Sequence, residues 1–162
     1  MINEETAKFQ KILTIYLQKI HEIYAEGNFR EESFYSSLEK LFEECSSFLS
    51  SEEGLNIRVL PKKTEVGIPD FLIRKNGEII GDVEAKTPDS NLQEVEKSVQ
   101  IQRYLNALPN LILTNFLEFR LYRDGTLVDK AELCSPIALH GLKAPVPENV
   151  DSFVIINQIP HT

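Results

Sequence analysis

Tryptophan is absent from this chain of 162 residues, methionine occurs once, and there are only two cysteines and three histidines. Each shortage excludes something. Cys45 and Cys134 lie far apart and neither belongs to a Cys-x-x-Cys pair, so neither is a metal-site candidate, and two reduced thiols in a reducing compartment are expected. His21 has no second histidine or cysteine one turn away, and His140 and His161 fall in irregular sequence, so none of the three is expected to bind a metal. No apolar run approaches the roughly 18 residues that span a bilayer, and the acidic, amphipathic N-terminus lacks a basic signal-like start. A cytoplasmic protein with no membrane contact is expected. Positive charge is scarce too: 17 Lys and Arg face 25 Asp and Glu, a net charge of −8, which is the wrong sign for gripping a phosphate backbone unaided.

With 42% hydrophobic residues, the chain is long enough for one well-buried core and no more than one domain. Phe9, Ile12, Leu13, Tyr16, Leu17, Ile20, Ile23 and Tyr24 recur at the three-and-four spacing of one helical face over residues 4 to 25. Gly27 stops that helix, and Asn28 with Glu31 three residues on is the expected cap of the next. The second helix is expected to bury Phe34, Leu38, Leu41, Phe42, Cys45, Phe48 and Leu49 and to end in the loop Ser50 to Gly54.

From Leu55 the period shortens. Asn56 to Leu60 reads as a strand closed by Pro61, and Phe71–Arg74 and Glu78–Ala85 read as two more, joined across Asn76-Gly77. The turn decides which side chains share a face. A two-residue turn opposes Lys75 to Glu78 and Asp70 to Val83, which sends Glu84 to the far face. A three-residue loop with Gly77 left-handed, or an equivalent bulge near Gly81, sets Asp70, Glu84 and Lys86 on one face. In the three-residue register, Phe71, Ile73, Ile79, Val83 and Ala85 fill the other. That loop or its equivalent bulge is the expectation.

After Thr87-Pro88, Asp89 or Ser90 is expected to cap one helix from about Asn91 to Leu108, ended by Pro109. Its stripes Leu92-Val95-Val99 and Ile101-Leu105-Leu108 predict cover on two sides, and Gln100 and Tyr104 share a third. Leu111–Thr114 reads as a buried strand, and Glu118–Tyr122 with Thr126–Leu133 as a hairpin across Asp124-Gly125. A meander, a crossover helix and further strands describe an α/β sheet flanked by helices. The expected domain is residues 1–134; residues 135–162, with Pro136, Pro145 and Pro147, read as a linker or the truncated start of a next element.

Hydrolysing a phosphodiester calls for a cation to offset developing charge and lower the pKa of an attacking water. Mg²⁺ uses one or two carboxylates plus waters and substrate phosphate. Asp70 and Glu84 supply the carboxylates, the Ala85 carbonyl is a candidate third oxygen, and Lys86 is a point charge on the same strand face. A Pro-Asp with a later Glu-x-Lys is a weak pattern alone; its place on a hairpin, ahead of a helix carrying Gln100 and Tyr104, strengthens it.

These residues, Pro69-Asp70, Glu84-Ala85-Lys86 and Gln100-Ile101-Gln102-Arg103-Tyr104, resemble the PD-(D/E)xK restriction-endonuclease-like nucleases. More narrowly, Pro69 to Leu72, Val83 to Lys86, Leu108 to Asn115 and Phe119 to Gly125 resemble the N-terminal nuclease domain of single-chain, type IIG-like restriction-modification enzymes, over about residues 28 to 130. The resemblance implies an αβββαβ core with a central mixed sheet and an extra N-terminal helix. It also implies a deoxyribonuclease that uses Mg²⁺, with Mn²⁺ as a substitute, and acts on double-stranded DNA. Asp70, Glu84, Lys86 and Gln100 would be catalytic and Tyr104 supporting. Glu32, in Glu32-Ser33-Phe34-Tyr35, matches a family glutamate and would be a further metal or water ligand; it reads equally as a first-turn glutamate favoured by the helix dipole. Methyltransferase and specificity domains would lie elsewhere in the polypeptide or system, and cutting both strands would need a transient dimer. An inactive nuclease-like module that binds DNA or a partner, and a repair nuclease of the same superfamily, are the alternatives.

Overall fold

The computed structural model describes residues 4–49, 56–59, 68–75 and 77–148, with side chains for all of these except 47–49 and 56–59. The expected loop from Ser50 to Gly54, Leu60, Pro61, Gly67, Asn76, His161, the stretch from Asn149 to Gln158, and the side chains of Phe48 and Leu49 lie outside the described residues.

Helix α1, Glu4–Glu26, buries Phe9, Leu13, Tyr16, Leu17 and Ile20, the stripe its periodicity predicts. Gly27 ends it at φ 75°. Asn28 is not the next cap. It sits at φ 39°, in the left-handed region, whereas a capping residue needs extended backbone. The cap falls instead to extended Arg30, whose N–H donates to Ser33 Oγ at 3.0 Å, and a 3-10 turn over Glu31–Phe34 leads into α2, Tyr35–Leu49.

Among the described residues, six strands form one sheet in sequence order: β1 Asn56–Val59, β2 Phe71–Lys75, β3 Glu78–Ala85, β4 Asn110–Thr114, β5 Glu118–Arg123 and β6 Thr126–Glu132. Of these six, β3 and β4 alone run parallel, so their connection must cross over, and it carries two helices, α3 Leu92–Glu96 and α4 Val99–Ala107. Alternation along the strands gives the sheet two covered faces. Phe71, Ile73, Val83, Ala85, Ile112, Phe119 and Leu121 pack with the apolar stripes of α1 and α2. Leu111, Leu113 and Tyr122 pack with Leu92, Ile101, Tyr104 and Leu105 on the other side. Among the described residues, no helix is long and apolar enough to cross a membrane.

The β2–β3 hairpin reaches the required parity by the second of its two routes. Lys75 pairs with Glu78, as in the two-residue register, but the pairing slips between Ile73 and Arg74, so that Ile73 meets Gly81 and Phe71 meets Val83. Ile80 is the extra residue, and one step beyond the last pair Asp70 comes level with Glu84. Gly77 is left-handed at φ 81°, as expected. The bulge exchanges the two isoleucines: Ile80 is buried, and Ile79, expected inside, is 54% exposed.

The single helix expected from Asn91 to Leu108 is broken. Asn91, not Asp89 or Ser90, caps α3 by accepting from Gln93 and Glu94 N–H, and Ser98 caps α4 by accepting from Ile101 N–H. A serine that takes a backbone donor in extended geometry competes with helix continuation. The break leaves Val99, expected in an apolar stripe, 85% exposed.

At the β5–β6 turn, Asp124 and Gly125 lie at φ 48° and 81°. A Cβ at Gly125 would meet the Leu105 carbonyl oxygen of α4 at 3.1 Å. Gly125→Ala therefore combines left-handed strain with crowding against backbone, and a loss of about 1 to 2 kcal/mol is expected in denaturant unfolding. Beyond β6, a 3-10 turn at Pro136–His140 buries Leu139, and His21 Nε2 donates to the Gly141 carbonyl at 2.7 Å. Cys45 and Cys134 are buried free thiols, pushed up to about 12 and about 11 by burial.

Candidate functional site

Asp70 enters the site at the start of β2, and its half-buried carboxylate is held at both oxygens. Tyr35 Oη donates to Oδ1 at 2.7 Å and the Ala85 N–H donates to Oδ2 at 2.8 Å. Ala85, whose carbonyl is the candidate third oxygen, is thus tied to Asp70 through its other backbone group.

Glu84 points to the α4 side of the sheet and is 4% exposed. Its Oε1 accepts from Lys86 Nζ at 3.3 Å, while Oε2 is buried without a hydrogen-bond partner. Burial pushes its carboxyl up to about 7, the Asp70 and Glu31 charges add to the rise, and the Lys86 ammonium opposes it. Asp82, one pleat earlier on the same face, is raised to about 6 by burial.

Lys86 links strand to helix. Its Nζ also donates to Gln100 Oε1 at 3.0 Å, and Gln100 Nε2 donates weakly to Tyr104 Oη at 3.5 Å. Gln100 and Tyr104, four residues apart on α4, therefore continue the chain of polar contacts from Glu84, and Tyr104 anchors it in the second apolar cluster. The Tyr104 hydroxyl is raised above its ordinary value, by burial first and then by the Glu84 charge.

The helical turn before α2 brings two further carboxylates toward the cluster. Glu32 is exposed, and its charge reaches Glu31 and Tyr35. Glu31 is half-buried and raised by burial, with Lys86 opposing and Asp70 and Glu32 reinforcing the shift. Asp70, Glu84, Lys86, Gln100 and Tyr104 are thus brought together, while the acidic group coupled most directly to them from this turn is Glu31. Sequence reasoning also missed Tyr35 as a partner of Asp70. Its only sequence signal was its place at the end of Glu32-Ser33-Phe34-Tyr35.

A second polar cluster lies farther along the same sheet face. Arg120 donates to Glu118 at 2.7 Å and to Glu96 at 2.9 Å, and Tyr122 Oη donates to Glu96 at 2.8 Å. It ties the end of α3 to β5.

What the first cluster offers chemically is an oxygen donor set, Asp70 and Glu84, beside an ammonium. Among the described residues, no three His, Cys, Asp or Glu side chains form a ready-made cage. The partnerless Oε2 of Glu84, buried near a like charge, fits a hard cation that completes its shell with water and substrate oxygens.

Comparison with known proteins finds no matching family model and no matching curated protein. Among solved structures, a cryoEM structure of a DrdV-DNA complex superposes over 94% of this chain with a TM-score of 0.61 and 16% sequence identity, and this chain spans 14% of the length of that one. A mixed sheet covered on both faces by helices, in this connectivity, is a restriction-endonuclease-like α/β fold.

Proposed function

We propose that this chain is a Mg²⁺-dependent endonuclease domain that hydrolyses DNA phosphodiester bonds, the cleavage module of a restriction-modification enzyme. The observation that carries the reading is the constellation itself: a bulge that sets Glu84 level with Asp70, and Lys86 Nζ bonded to both Glu84 and Gln100. The fold shared with a structure described as a DNA complex supports DNA as the partner.

Asp70 and Glu84 would hold the cation, and when bound it would neutralise phosphate charge and acidify a water. The residues divide the remaining work. Tyr35 and the Ala85 N–H fix the Asp70 carboxylate. Gln100 and Glu84 use two of the three Lys86 donors, which leaves the third for a water or a phosphate oxygen. Placed there, the ammonium offsets charge as it develops on the phosphate. The net charge of −8 assigns most of the DNA grip to domains outside this one.

Mg²⁺ titration by calorimetry without DNA, on the wild type and on Asp70→Asn, tests the reading together with nicking of supercoiled plasmid. Binding and nicking that both vanish in the variant are expected. Nicking that survives Asp70→Asn would place the chemistry elsewhere.

A further inference from the structure

We propose that Tyr35, on the first turn of α2, is a positioning residue that sets the orientation of the Asp70 carboxylate for a divalent cation; this rests on the function proposed above. Asp70 stands at a strand start, where a side chain pivots freely unless something holds it. Two donors do so from different directions. The Ala85 N–H comes from the neighbouring strand and fixes Oδ2, while the Tyr35 hydroxyl comes from the helical layer and fixes Oδ1. Together they define the plane of the carboxylate and occupy one lone pair on each oxygen, leaving one on each for a ligand.

Tyr35 is itself held. Its ring packs edge-on against Phe71, the residue after Asp70, with centroids 4.7 Å apart and an interplanar angle of 67°. Phe71 is fully buried, so the hydroxyl is aimed from a fixed platform. The 3-10 turn Glu31–Phe34 is fixed in turn by the Arg30–Ser33 exchange and by Phe34, whose ring packs tilted against Phe116 with centroids 4.9 Å apart. At 2.7 Å from a carboxylate oxygen, which can only accept, the Tyr35 hydroxyl is the donor. Orientation of a ligand through its outer hydrogen bonds typically changes metal affinity 10- to 100-fold.

Tyr35→Phe keeps the ring and removes only the hydroxyl, which makes it the informative variant. In Mg²⁺ calorimetry on the whole chain without DNA, its affinity is expected to fall at least about tenfold at unchanged stoichiometry. Proton NMR of the metal-free protein supplies a readout independent of metal and activity: a slowly exchanging Tyr35 hydroxyl resonance, present in the wild type and lost in Asp70→Ala. Equal Mg²⁺ affinity in Tyr35→Phe and wild type overturns the proposal, as does absence of the hydroxyl resonance in the wild type. A wild type that binds no Mg²⁺ and nicks no DNA sinks the cleavage reading and this inference with it. A wild type that binds Mg²⁺ only as tightly as Tyr35→Phe sinks the inference alone.

Discussion

Glu84→Gln is expected to make the metal-free protein more stable at pH 8 while abolishing Mg²⁺ binding and DNA cleavage. Glu84 is raised from an ordinary 4.5 to about 7, chiefly by burial. A carboxyl with a raised folded-state pKa costs nothing below the unfolded value. The cost grows as pH climbs from 4.5 to about 7 and is complete above that. For Glu84 it amounts to about 3 kcal/mol at pH 8. That rise is already net of the bond from Lys86 at 3.3 Å, which holds the carboxyl down and which the variant weakens. Lys86 keeps its bond to Gln100, and its side chain is 21% exposed, so losing a charged partner costs less than the buried carboxylate does. Thermal melts with a chelator should put the variant roughly 5 °C above wild type at pH 8 and level with it at pH 4. Added Mg²⁺ should then raise the wild-type melting temperature and leave the variant unmoved. A variant less stable than wild type at pH 8 would mean that the Glu84–Lys86 pair outweighs burial, and the site would then be a structural ion pair.

The same residues show what the sequence could and could not disclose. Parity was legible: a single face for Asp70 and Glu84 required one residue more or fewer than the plain two-residue turn supplies, and either remedy satisfied the alternation of hydrophobic residues. Which one occurs depends on whether Ile79 or Ile80 is the better buried, and two identical side chains in succession carry no signal on that point. The break between α3 and α4 was marked by Ser98, but Val99 continued an apolar stripe, and periodicity weighed more than a single capping residue. The covered faces of α1 and α2 followed from spacing alone because long amphipathic stripes leave little choice. Tyr35 and Glu31 were beyond reach for a different reason. The distance from α2 to the hairpin is set by the packing of Phe34, Tyr35 and Phe71 in three dimensions, and no local pattern encodes it.

Lys86→Ala is expected to lower DNA cleavage by about 10² to 10³ at saturating Mg²⁺ while leaving Mg²⁺ binding in place. Asp70→Asn is expected to lose both, and that contrast separates a charge acting on the reacting phosphate from a ligand. Removing Lys86 also removes the influence that holds Glu84 down, so the carboxyl moves further up from about 7. A proton on Glu84 competes with a cation, so the pH at which Mg²⁺ affinity reaches half its alkaline limit should rise in Lys86→Ala. Above that pH, relief from a like-charged neighbour leaves affinity equal to the wild type or tighter. Lys86→Arg should restore little cleavage, because the single Nζ that now bonds both Glu84 and Gln100 is replaced by a planar fork that cannot meet the two acceptors from one point. Single-turnover nicking rates with parallel calorimetry from pH 6 to 9 give the answer. Cleavage within a few-fold of wild type in Lys86→Ala would leave Lys86 as a strand-end lysine that only neutralises Glu84, and the burden of charge stabilisation would pass to the cation and to whatever domain brings the DNA.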